Sequence, residues 1–255
     1  MSKLKRVKYN NTPLIEVIFQ LQFPTILSIN SSQPVGFQDR IREQYPFYEE
    51  GIEQQNELLI APNGDPTQVK RSQTKNYCFI STDHTYKINL TSSFIAISTV
   101  SYTQWEDFVK HIEFIIPAFE KEYAPTFYTR IGLRYIDAIT RSNLHLTNQK
   151  WSELIQPHVL GIVTPEIEDG IQSFLSQAEY KSSDGKSLTR THVELVHVNN
   201  NPELSLLIDC DYFIPEITQT EHLMEAASML HMNSSNFIQE AITPKLSHAM
   251  EPVEI

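Results

Sequence analysis

The sequence predicts an α+β fold in which a unit of strand, helix, antiparallel meander and long helix is used twice. Three observations predict it. The apolar run Leu14-Ile15-Glu16-Val17-Ile18-Phe19-Gln20-Leu21 is echoed about halfway along the chain by Thr129-Arg130-Ile131-Gly132-Leu133-Arg134-Tyr135-Ile136-Asp137. Each run is followed by short alternating segments separated by turn residues. Each half then ends in a long stretch whose apolar residues recur every three or four positions, the period of an amphipathic helix. The halves are expected at 1–125 and 126–255, packed as one compact unit. Each has one sheet face to cover and one long helix to cover it, so a curved antiparallel sheet with both helices on one face follows.

Between Pro13 and Pro24 the residues alternate, with Ile15, Val17, Phe19, Leu21 and Phe23 on one face and Glu16, Gln20 and Gln22 on the other. Phe37, Ile41 and Tyr45 at spacings of four suit a short helix that Pro46 ends. Strand-like pieces follow at 57–61, 68–72, 76–81, 85–90 and 94–100, with turns at Asn63-Gly64-Asp65-Pro66 and Thr82-Asp83-His84. The acidic run Glu49-Glu50-Gly51-Ile52-Glu53 is expected to be a solvated loop. Trp105, Phe108, Ile112, Ile115 and Phe119 then form one apolar stripe, with a kink or early break expected at Pro117.

In the second half a strand is expected at 127–139, a helix at 149–155, strands at 171–181, 188–198 and 204–213, and a helix at 219–241. Lys181–Lys186 and Asn199–Pro202 supply the hairpin turns. This order of elements resembles saddle-shaped folds of the TATA-binding-protein type and helix-grip folds around a cavity. Both are binding scaffolds more often than catalysts, and fold alone does not assign function.

A formal net charge of −11 argues against nucleic acid as the main partner, because that affinity rests on clustered Lys and Arg. The basic cluster at Lys3, Lys5, Arg6 and Lys8 is expected to be a solvated tail. Cys78 and Cys210 stand alone in apolar runs and are expected as small buried residues, with neither a disulfide framework nor a zinc site. No apolar run approaches the length of a membrane span, and a cytoplasmic protein is expected. The seven glycines form no phosphate-cradling loop, and neither a His-Glu-x-x-His helix nor a Gly-x-Ser-x-Gly elbow occurs, so no cofactor is expected.

The polar exceptions in the apolar strands carry the candidate chemistry. Arg130 and Arg134 share a strand face with Gly132, Asp209 and Asp211 share another, and Glu16 holds the comparable place in the first strand. The arginines could grip a carboxylate or phosphate through the bidentate guanidinium. The aspartates could hold a divalent metal. Alternatively, these residues pair with one another. Arg190 and His197 match the spacing of a HEPN-type ribonuclease motif, but as strand residues they fall on opposite faces about 23 Å apart. His222 and His231 are expected on the polar face of the last helix, and Trp105 and Trp151 as core anchors.

The segments Pro13–Phe19, Tyr102–Phe108, Arg130–Asp137 and Leu207–Asp211 resemble landmarks of a large, sporadically distributed family of uncharacterised bacterial proteins of about this length. The Arg-x-Gly-Leu-Arg-Tyr-Ile segment is the most specific of them. The resemblance implies no activity, and its patchy distribution implies the context of mobile defence or toxin–antitoxin genes. The leading expectation is therefore a non-enzymatic protein-binding module, an accessory or neutralising component whose partner is another protein encoded nearby. Two alternatives stand beside it: a sensor holding a small anionic ligand in the sheet concavity through Arg130 and Arg134, and a metal-dependent enzyme acting on nucleotides or nucleic acid through Asp209 and Asp211.

Overall fold

The computed structural model describes residues 6–60, 66–198 and 201–254. The first half contains β1 (Val7–Tyr9), β2 (Leu14–Gln22), α1 (Leu27–Ser31), α2 (Val35–Ile41), β3 (Phe47–Ile60), β4 (Pro66–Ile80), β5 (Tyr86–Leu90), β6 (Phe94–Thr99) and α3 (Trp105–Tyr123). The second contains β7 (Arg130–Ile139), α4 (Trp151–Leu154), α5 (Pro157–Leu160), β8 (Leu175–Lys181), β9 (Leu188–His197), β10 (Leu204–Ile214), α6 (Leu223–Ala241), α7 (Pro244–Ala249) and β11 (Pro252–Glu254).

Nine strands form one antiparallel sheet in the order β3-β4-β5-β6-β2-β7-β10-β9-β8. From the centre outward the first half runs β2-β6-β5-β4 and the second β7-β10-β9-β8, so the opening strand of each half sits beside that half's last one. The halves thus share one topology, with β3 added at the outer edge of the first. They join where β2 pairs antiparallel with β7, from Leu14↔Asp137 to Gln22↔Arg130. β1 and β11 form a separate two-stranded ribbon.

Both long helices lie on one side of the sheet. Ile131 and Leu133 of β7 and Ile208 and Tyr212 of β10 point to that side and are buried with Phe119 of α3 and Leu230 of α6 in one core. Trp105 of α3 stacks on His231 of α6, which brings the two helices together at their N-terminal and middle turns. Phe119 is fully buried, with its ring 4.9 Å from Phe23 and 6.5 Å from Phe37. α3 continues through Pro117 without the expected early break and ends at Ala124, which takes the left-handed conformation before Pro125. The α-region is disfavoured for a residue preceding proline, so the stop is local in origin.

Several expectations on the elements are corrected. Glu49–Glu53 is not a loop but part of β3, and the separate short strands expected at 57–61, 68–72 and 76–81 merge into the long hairpin β3–β4. Its ladder, from Phe47↔Ile80 outward, satisfies the backbone where the polar sequence offers no alternation to read. The expected turn at 63–65 and residues 199–200 of the next lie outside the described residues, as do Lys3 and Lys5. The helix expected at 149–155 is only the short α4, and β8 begins at Leu175 rather than Ile171.

One correction bears on the site. Ile15 does not share the core face with Val17 and Phe19. The β2–β7 register shifts between Leu14 and Glu16, so Ile15 is an extra residue, 42% exposed, and Leu14 is left opposite Asp137. Such a bulge bends a strand and re-aims its side chains, often beside a functional site.

Replacing Phe119 by Ala should cost about 3–5 kcal/mol, the usual range for emptying a packed aromatic site. Urea denaturation checks this, with a drop in midpoint at unchanged slope as the expected form.

Candidate ligand-binding cavity

The five residues singled out in the sequence do share one face of the sheet, the face opposite the helices, and there the charges engage one another. Arg130 Nη2 donates to Asp211 Oδ2 at 2.6 Å. Arg134 makes a two-pronged contact with Asp209, its Nε donating to Oδ1 at 2.6 Å and its Nη2 to Oδ2. Glu16, half-buried on β2, adds to the negative field around Arg134. Further along the same face Arg190 donates to Glu179 at 2.6 Å.

Gly132 makes the first of these pairs possible. A Cβ at this position would lie 2.3 Å from Arg130 Nη1, so the arginine reaches Asp211 by lying flat over the glycine. The Phe213 ring, across the ladder from Gly132, is covered by Arg130 at 4.4 Å and Arg190 at 5.3 Å. These cation–π contacts hold the guanidiniums down on the sheet. Three arginines here face Asp209, Asp211, Glu179 and Glu16, so the guanidiniums are already matched by carboxylates. Among the described residues no group of three or more His, Cys, Asp or Glu is placed to hold a metal ion.

The other face contains a cavity of about 130 Å³ at the meeting of α3, α6 and the central strands. Its floor is Tyr135 and Asp137 of β7 with Ile208 and Cys210 of β10. Trp105 and His231 form one wall, Phe237 and Ile238 of α6 another, and β1 passes across it with Lys8 and Tyr9, preceded by Arg6. Leu14, turned by the bulge, completes the lining beside Asp137. The volume is close to that of engineered apolar cavities of about 150 Å³ that hold a benzene ring.

The polar groups in this cavity differ sharply in how they are satisfied. The Tyr135 hydroxyl lies 3.0 Å from His231 Nδ1, and the His231 and Trp105 rings stack with centroids 4.5 Å apart and 6° between planes. Burial, with Arg6 nearby, lowers the His231 pKa to about 4, so the imidazole is neutral at pH 7 and its Nδ1 shares one hydrogen bond with the phenol. Ser234 donates to the His231 carbonyl of its own helix at 2.8 Å. The Cys210 thiol is pushed up by burial and stays protonated.

Asp137 is the exception. Its residue is 9% exposed and lines the cavity, and its carboxyl has neither a hydrogen-bond nor an ion-pair partner among the described residues. Burial alone raises its pKa to about 7. A buried carboxyl ordinarily takes two or three donors, and leaving it without any costs stability.

Sequence reasoning did not select this site. Asp137 follows Ile136 at the end of the landmark segment, and period two puts it with Ile131, Leu133 and Tyr135 on the apolar face. An acid on a core face was the available signal. The polar-face expectation for His231 is corrected, since the imidazole is packed on Trp105 inside the cavity wall. Trp105 and Trp151 are buried as expected.

The raised Asp137 pKa has a definite sign. Between about pH 4 and 7 the folded protein holds a proton that the unfolded chain has released, so stability falls as pH rises through this window. From pH 5 to pH 8 the wild type should lose about 2–3 kcal/mol relative to Asp137→Asn, compared by urea denaturation at both values. No protein-family model matches the chain, and no curated protein matches it.

Proposed function

We propose that the protein is a non-enzymatic binding module whose site is the cavity between α3, α6 and the centre of the sheet, and that it senses a small molecule there. The observation that carries this reading is Asp137, buried, lining the cavity and without a donor among the described residues. Asp137 has no donor among the described residues, and a molecule bound in the cavity would supply one. Apolar walls with a few convergent polar groups are the usual make-up of a small-molecule site. The cavity offers no activated nucleophile, because the Cys210 thiol stays protonated and Ser234 is engaged with its own helix.

A small-molecule library screened by thermal shift tests this. A ligand at 100 times its dissociation constant adds about 2.7 kcal/mol to stability. Ser234→Phe fills the cavity from α6 and should abolish the shift given by any hit. A hit unaffected by Ser234→Phe, or a screen without hits, argues against the cavity as the site.

A second reading, engagement of a protein encoded nearby, is favoured by the β3–β4 hairpin. β5 pairs only with Tyr77–Ile80 of β4, while the β3–β4 ladder continues through Gly51↔Asn76 to Ile60↔Pro66. The hairpin therefore runs past the sheet as a two-stranded arm, and unpaired strand edges are a ready means of pairing with another chain. Replacing residues 51–76 with a short turn should leave the cavity and core stability intact while abolishing co-purification with the product of a neighbouring gene. Retained co-purification sinks this reading.

A further inference from the structure

Resting on the cavity reading above, we infer that the ligand is a compact planar organic cation of the amidinium type: a single ring whose paired N–H donors meet the two oxygens of Asp137. Three features of the cavity point to this class. The first is a carboxyl at the floor whose two oxygens have no partner among the described residues, a geometry that a planar group with two parallel N–H donors satisfies in full. The second is the concentration of aromatic faces around it. The Trp105 and His231 rings are stacked, and Tyr102 meets Tyr135 edge-on at 5.8 Å, so the walls present π-surface to a ring or a cation. The third is size, since about 130 Å³ admits one ring with a short polar substituent.

The other charged and titratable groups leave this assignment intact. Arg6, just before β1, is paired with Glu106 at 2.7 Å, which neutralises the nearest guanidinium. Lys8, the remaining cation of β1 in the lining, has its charge on a long flexible stem that can reach out to water. Above about pH 4 His231 of α6 is neutral. Tyr102, before α3, is raised to about 12, and burial likewise raises Tyr9 of β1, Tyr135 of β7, and Cys210 and Tyr212 of β10. Asp137 is thus the facing group that changes charge near neutral pH. A cation binds its ionised form, so affinity should fall tenfold per unit as pH drops below about 7 and level off above it.

The test compares three near-isosteric probes on the full chain: benzamidine as the cation, benzamide as the neutral analogue and benzoate as the anion. Binding is followed by NMR of the Trp105 indole and His231 imidazole, with wild type and Asp137→Asn titrated at pH 6, 7 and 8. The expected result is that benzamidine perturbs both rings, binds at least tenfold more tightly than either analogue, weakens as pH falls, and loses at least tenfold in Asp137→Asn. That variant should fold, because it removes a charge whose burial is unfavourable. If benzamide or benzoate binds as well as benzamidine, or Asp137→Asn holds the amidinium unchanged, the cation assignment is overturned while the cavity remains a binding site. If none of the three perturbs either ring at millimolar concentration, both the assignment and the cavity reading are overturned.

Discussion

The antiparallel pairing of β2 with β7 is the constraint on which the rest of the structure depends. It welds two units of one topology into a single sheet, placing the end of each unit's chain path beside the centre. A sheet built this way has one face for both long helices, and the helices meet above the seam through Trp105 and His231. The cavity lies beside that seam, with its floor on β7 and β10 and Leu14 of β2 at its edge.

The bulge at Ile15 refines this arrangement. An extra residue in β2 breaks the period-two alternation near the end of the central ladder, removes Ile15 from the core and leaves Leu14 beside Asp137. A regular ladder would have placed a β-branched side chain toward the helices here. The floor of the cavity is therefore shaped by a departure from the pattern that makes the remainder of β2 legible.

The two faces of the sheet handle charge in opposite ways. On the open face each arginine has a carboxylate within hydrogen-bonding distance, and Gly132 and Phe213 hold Arg130 flat against the strands. Charges so arranged at partial exposure contribute modestly to stability and help set strand register. On the helix side the Asp137 carboxyl is buried with no partner among the described residues. An acid left without a partner among the described residues inside a cavity gives up stability at that point, and such local costs concentrate where ligands bind.

Alternation and three-to-four spacing in the sequence alone determined the α+β class, the central strands and the two long helices, because these elements bury one face each and their period records it. It also put Arg130 with Arg134, and Asp209 with Asp211, on one face of their own strands and Glu16 on the polar face of the first, since strand geometry dictates side-chain direction locally; that the three sets share one sheet face came from the pairing. The length of the β3–β4 hairpin was not legible, because beyond the core edge nothing imposes an apolar face. The partners of the arginines and the cavity around Asp137 were decided only by tertiary structure. Pairing across β7 and β10 joins residues 75 and 81 positions apart, and the cavity draws on β1, β2, β7, β10, α3 and α6 together. An acid on an apolar strand face is visible in one dimension, but whether a donor reaches it depends on every element packed above.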